Sequence, residues 1–127
     1  MALKTDRTNY LRKFHPFPYG DILVSFEWLG LVKLDRNSNV LWSKFNRAHH
    51  DFWIGENGRI YCLTAKSKAV THNGRTRRRV VDFISILKPD GTTVRKISLL
   101  EAIRNSNYSS ILDLSNPENK RSSTRTR

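Results

Sequence analysis

The sequence predicts an all-β protein made of antiparallel β-meanders, and three observations carry that expectation. Short runs of β-branched and aromatic residues recur between turns marked by Gly, Pro and Asn. The runs form a meander pattern that restarts midway. Only one stretch, near the C-terminus, has helical character.

Residues 1–14 read as a polar N-terminal segment with Tyr10, Leu11 and Phe14 as possible anchors. "HPFPYGD" (15–21) is punctuated by two prolines and a glycine and reads as a turn. "DILVSFE", "LGLVKLD" and "VLWSKF" follow as strands, with the polar turn "RNSN" before the last. The pattern restarts at "FWIG", turns at "ENG" and continues in "RIYCLTA". Lys66–Arg79 reads as a long basic loop. "VVDFISIL", the turn "KPDG" and "TTVRKIS" complete the second set. "SLLEAIRNSNY" is a short helix over about 98–108, with Ser98 and Glu101 at capping-box spacing. Residues 115–127 lack an apolar pattern and read as a disordered basic tail.

The two sets repeat one another. "GDILV" from Gly20 matches "GRIYC" from Gly58, and "LDRNSNVLW" from Leu34 matches "LKPDGTTVR" from Leu87. The glycines stand 38 apart and the leucines 53, a difference about the length of the basic segment. A four-strand unit of roughly 40 residues is the signature of a β-propeller blade. The expectation is an incomplete β-propeller over 15–114, with one blade at about 15–48 and a second at about 49–98. A plain β-meander domain is the alternative. An open pair of blades would leave apolar side chains such as Leu31, Leu34, Ile84 and Ile86 uncovered.

The net charge of +12 is local. Lys66–Arg79 and Lys120–Arg127 hold ten cations and no acid, so the rest of the chain is close to neutral. Arg75, Arg77, Arg78 and Arg79 are the candidate polyanion-binding residues, in a non-specific and salt-sensitive mode. No recognition helix, zinc motif or aromatic platform accompanies them. The single cysteine, Cys62, lies in a strand-like run and reads as a buried, inert thiol. With no secretory h-region and no transmembrane-length stretch, the expected location is cytoplasmic, with no membrane partner.

The segments "HPFPYGDILVSFEWLGLVKLDRNSNVLW", "RAHHDFWIGENGRIYCLT" and "DFISILKPDGTTVRKISLLEAIRNS" together resemble the arylsulfotransferase-type β-propeller proteins of bacteria, over about 15–114. The resemblance implies a six-bladed propeller of several hundred residues with its site in the central channel. It implies sulfuryl transfer from an aryl sulfate to a phenol through a sulfated histidine, with no nucleotide donor. On this reading His49 and His50 line the channel mouth at the start of the second blade. His15 holds a comparable place in the first, Asp51 is a turn or supporting residue, and His72 is solvated. No cofactor is expected. A metal is disfavoured because adjacent strand residues point to opposite faces.

The sequence departs from that pattern in two ways. It accounts for roughly two blades, and after "ILDL" it continues as "SNPENKRSSTRTR" where the family would supply another histidine-bearing strand. The nucleophilic histidine is expected in that later part. The reading is a truncated arylsulfotransferase-like protein, inactive as a lone chain or completed by further blades. The alternatives are a small basic binding module for nucleic acid or another polyanion, and a homo-oligomerising propeller-blade scaffold.

Overall fold

Eight strands form two four-stranded antiparallel sheets in a computed structural model that describes residues 10–115. The first sheet is β1 (Leu11–Pro16), β2 (Ile22–Phe26), β3 (Gly30–Leu34) and β4 (Val40–Lys44), hydrogen-bonded in sequence order. The second is β5 (His49–Ile54), β6 (Ile60–His72), β7 (Arg75–Leu87) and β8 (Thr93–Ser98), in the same order. A single-turn helix, α1 (Leu99–Arg104), and a 3-10 helix over Ser109–Ser115 follow. The all-β expectation holds. The basic tail from 116 onward and the first nine residues lie outside the described range.

The internal repeat is written in the turn hydrogen bonds. Phe17 N–H donates to the Asp21 carbonyl and Gly20 N–H to Phe17, at 2.8 and 3.0 Å. Gly55 N–H donates to Arg59 and Gly58 N–H to Gly55, at 2.8 and 2.9 Å. The other hairpin of each sheet uses the same pattern, at Asp35–Asn39 and at Lys88–Thr92. Each turn places one residue at positive φ, namely Gly20, Ser38, Gly58 and Gly91. A type I turn closed by a left-handed residue gives this pattern, and glycine is suited to it because it has no Cβ.

Three assignments change. Leu11–Pro16, read as polar segment and turn, is β1: it pairs with β2 from Leu11↔Phe26 to Pro16↔Ile22. Lys66–Arg79 is not a loop. It is the outer half of a hairpin whose 13-residue strands pair without a break from Ile60↔Leu87 to His72↔Arg75. Asn73 and Gly74 close it with φ of 52° and 76°, the geometry of a two-residue type I′ turn. The helix is shorter than expected, six residues, with the Ser98 side chain accepting from Glu101 N–H.

The core lies between the sheets. Leu23 and Leu31 from the first meet Phe52, Ile60, Cys62 and Leu87 from the second, with Ala48 in the connection. Leu31, expected on an uncovered face, is 0% exposed, because its face of β3 is turned to the second sheet. Leu34, Ile84 and Ile86 are half-buried. The exposed large apolar groups include Phe14, Leu41, Phe45 and Trp53. Trp42 ties β4 to the Lys88–Thr92 turn: its indole N–H donates to the Pro89 carbonyl at 3.0 Å. A Cβ on Gly91 would stand 2.7 Å from the Trp42 ring, so this turn can approach only as glycine.

Two outcomes follow from this core. Leu31→Ala should lower unfolding free energy by about 2–5 kcal/mol in a urea titration, whereas Val40→Ala, at an exposed position, should stay within about 0.5 kcal/mol. Cys62 is buried and its thiol is pushed up to about 11 by desolvation, with Lys44 opposing weakly. Because the thiolate is the reactive form, Cys62 should resist iodoacetamide at pH 8 in the folded chain and react once urea exposes it.

Candidate functional site

The site forms where the turn between β2 and β3 meets the segment that crosses from one sheet to the other. Trp28 N–H donates to the Ala48 carbonyl at 2.9 Å, and Arg47 N–H to Leu29 at 3.2 Å. These two bonds hold the crossing chain against the turn. The backbone is unusual here: Trp28, Arg47 and His50 have φ of 62°, 55° and 63°. Left-handed backbone at non-glycine residues is costly, persists only where the surroundings enforce it, and clusters at functional sites.

His50 sits in a β-bulge. The β5–β6 register jumps between His49↔Leu63 and Phe52↔Cys62, so His50 and Asp51 lie outside regular pairing. The bulge breaks the strict alternation by which adjacent strand residues point to opposite faces, so the two histidines can serve one place. The two imidazoles lie edge to face, with centroids 5.0 Å apart. Glu27 completes the group. Its Oε1 accepts from the His50 backbone N–H at 2.6 Å. Its Oε2 accepts from the Tyr10 hydroxyl at 3.4 Å and pairs with Arg12 Nε at 3.5 Å. Arg12 Nε also donates to the His50 carbonyl at 3.2 Å. Thus the backbone of His50 is fixed on both sides while its side chain is exposed.

His49 has a different environment. It is 5% exposed, and its ring stacks on Trp28 at 4.2 Å with a 15° interplanar angle. Its Nε2 is 3.0 Å from Asp82 Oδ1. Its Nδ1 is buried with no hydrogen-bond partner. Asp51 turns away toward β1, where Lys13 Nζ donates to its Oδ1 at 2.5 Å. That contact, with the Phe52 N–H, holds the Asp51 carboxyl below its usual range.

The structure brings together His49 and His50 but not the other candidates. His15 pairs with Leu23 as Trp53 pairs with Tyr61, so its register counterpart in the second sheet is Trp53. It lines a separate cavity with Phe17, Lys33 and Pro89. His72 is not simply solvated: its Nε2 is 2.7 Å from Asp113 Oδ1, which fastens the 3-10 helix to the hairpin tip. That contact and one from Asn73 hold the Asp113 carboxyl below its usual range. Arg75, Arg77 and Arg79 share a cavity with Arg104, Val70 and Leu100, and Arg78 is not among its lining residues. Strand alternation thus divides the four arginines between two faces. Glu27, Trp28, Arg12 and Asp82 went unrecognised in the sequence, where they stand far from the histidine pair. Only "EWLG", an acid and an aromatic at a tight turn, hinted at any of them.

Comparison with protein families finds one relationship. The family model described as Arylsulfotransferase (ASST) matches residues 9–126. No curated protein and no solved structure matches the chain.

The bulge makes a separable prediction. Asn tolerates left-handed backbone and β-branched residues do not. His50→Asn should therefore leave the thermal midpoint nearly unchanged, whereas His50→Val should lower stability by about 1–2 kcal/mol, as read by parallel denaturation curves.

Proposed function

The chain belongs to the arylsulfotransferase (ASST) family, and on that premise we propose that it serves sulfuryl transfer from an aryl sulfate to a phenol, with His50 holding the sulfuryl group. The family implies aryl sulfate and phenol as the substrates. The observation that carries the reading is His50 itself. It is an exposed imidazole on a strained bulge, with its backbone clamped by Glu27 and Arg12. A fixed backbone beneath an exposed donor is what positioning a substrate oxygen requires. The paired meanders are also of the kind that stack as blades in a β-propeller.

The reaction proceeds in two displacements. A neutral histidine nitrogen attacks sulfur, the ester S–O bond breaks, and the electron pair leaves on the aryl oxide. The acceptor phenol then attacks the sulfohistidine sulfur, the N–S bond breaks with its electron pair returning to the imidazole nitrogen, and the phenol proton goes to the aryl oxide released in the first step. His50 is assigned to hydrogen-bond a sulfuryl oxygen, and the nucleophile is assigned to a histidine outside this pair. The local charge is consistent with that division. Arg12 is paired with Glu27 and Lys13 with Asp51, so these two cations are already balanced. Transfer needs further positive groups on the sulfuryl oxygens.

The test uses the 127-residue chain with 4-nitrophenyl sulfate and a phenol acceptor. Ester should shift the NMR signals of the His50 ring, leave those of His15 and His72 in place, and lose its effect in His50→Asn. No nitrophenolate should accumulate. Shifts confined to the arginine-rich hairpin would remove His50 from the reading. Turnover with sulfate trapped covalently on His50 would make His50 the nucleophile and overturn the assigned division.

A further inference from the structure

We propose that Glu27, His49 and His50 form a binding site for one divalent transition-metal ion of the zinc type. This goes beyond the sulfuryl-transfer reading and does not depend on it. One ligand atom from each of the three residues lies within 4.8 Å of the others. They come from the turn after β2 and the start of β5, and the bulge joins them. The ring geometry of His49 is the second, independent observation. Its Nε2 faces Asp82 Oδ1 at 3.0 Å. A carboxylate oxygen accepts, so Nε2 carries the proton, and in the neutral tautomer that this bond selects Nδ1 holds the lone pair. That Nδ1 is buried and has no hydrogen-bond partner, in a residue 5% exposed. A histidine with one nitrogen donating to a carboxylate and the other bare has the arrangement of a metal ligand.

The other two ligands suit the same ion. Glu27 is 4% exposed, a buried carboxylate whose contacts at Oε2 are long: 3.4 Å to Tyr10 and 3.5 Å to Arg12. Arg12 is the cation that an entering ion would displace, and its side chain is 46% exposed, so it has solvent to turn into. A tetrahedral ion with bonds of about 2.0–2.2 Å needs its ligand atoms roughly 3.4 Å apart. The exposed His50 ring can rotate to close that gap. Two imidazoles and one carboxylate favour zinc-like ions over calcium or magnesium, which prefer all-oxygen shells. Exposure of His50 leaves a fourth position open to water or to an oxygen of a ligand, as in sites with three protein ligands.

The experiment is a Co2+ titration of the metal-stripped full chain, read by visible absorption and by tryptophan emission, since Trp28 stacks on His49. The expected result is one Co2+ per chain, displaced by Zn2+. His50→Asn and Glu27→Gln should each weaken binding at least about tenfold, and Asp82→Asn by about 10–100-fold through loss of the orienting bond. His72→Asn should match the parent chain. His50→Asn is the deciding variant, because Asn accepts the left-handed backbone and the fold can be verified by melting. No Co2+ spectrum in the parent chain overturns the proposal. So does a spectrum unchanged in His50→Asn, or one lost equally in His72→Asn. The titration contains no sulfate ester, so its failure leaves the sulfuryl-transfer reading standing. Loss of the ester-induced shifts with Co2+ binding intact would sink only that reading.

Discussion

The two hydrogen bonds from Trp28 and Arg47 that clamp the crossing chain to the β2–β3 turn are the constraint on which the rest of the molecule depends. They hold the chain against the β2–β3 turn just before β5 begins. They place Ala48 in the core and begin β5 with a bulge, because the chain must leave the clamp in left-handed backbone. They also carry Glu27 beneath His50, so one local restraint creates both the sheet–sheet seam and the functional cluster. The two meanders are joined as well by the contact of Trp42 with the Lys88–Thr92 turn, by Lys13 reaching Asp51 and Phe52, and by the cross-sheet contacts of the core.

Duplication explains the economy of the fold. Each sheet is a meander closed by two turns of the same hydrogen-bonding pattern, and each offers one apolar face to the other. Such a meander alone cannot cover its own apolar face. Facing the two copies buries Leu23, Leu31, Ile60 and Leu87 completely or nearly so. The second copy departs from the first in its long hairpin, which extends beyond the core. There the apolar periodicity gives way to lysine and arginine, because strands with solvent on at least one face do not require apolar residues. α1 and the 3-10 helix pack back onto this extension through Arg104 to the Thr71 carbonyl and His72 to Asp113. Its cations are thus part of a built surface rather than of a loop.

Polar chemistry concentrates at the clamp for the same reason. Backbone held in left-handed conformation breaks strand alternation, and that is how two consecutive histidines can serve one place. His49 becomes the buried member, held by Trp28 and Asp82, and His50 the exposed one. A regular strand would have sent one ring into the core and the other to the far face.

The sequence by itself determined the all-β class and the repeated meander, because these rest on local patterns: apolar runs and turn residues; the Ser98 cap was legible in the same way. It also located the buried Cys62 and singled out the His49–His50 pair. The long hairpin was legible too, in Asn73-Gly74, but the weight of charge around that turn masked a strong hairpin signal. Tertiary structure alone decided the rest. Strand β1 has little apolar periodicity and exists because β2 offers it an edge to pair with. Leu31 is core because a second sheet covers it. The partnership of Glu27, Asp82 and Trp28 with the histidines spans residues far apart in the chain. A bulge and a clamp bring them together, and no local pattern encodes either, since both arise from where the two sheets meet.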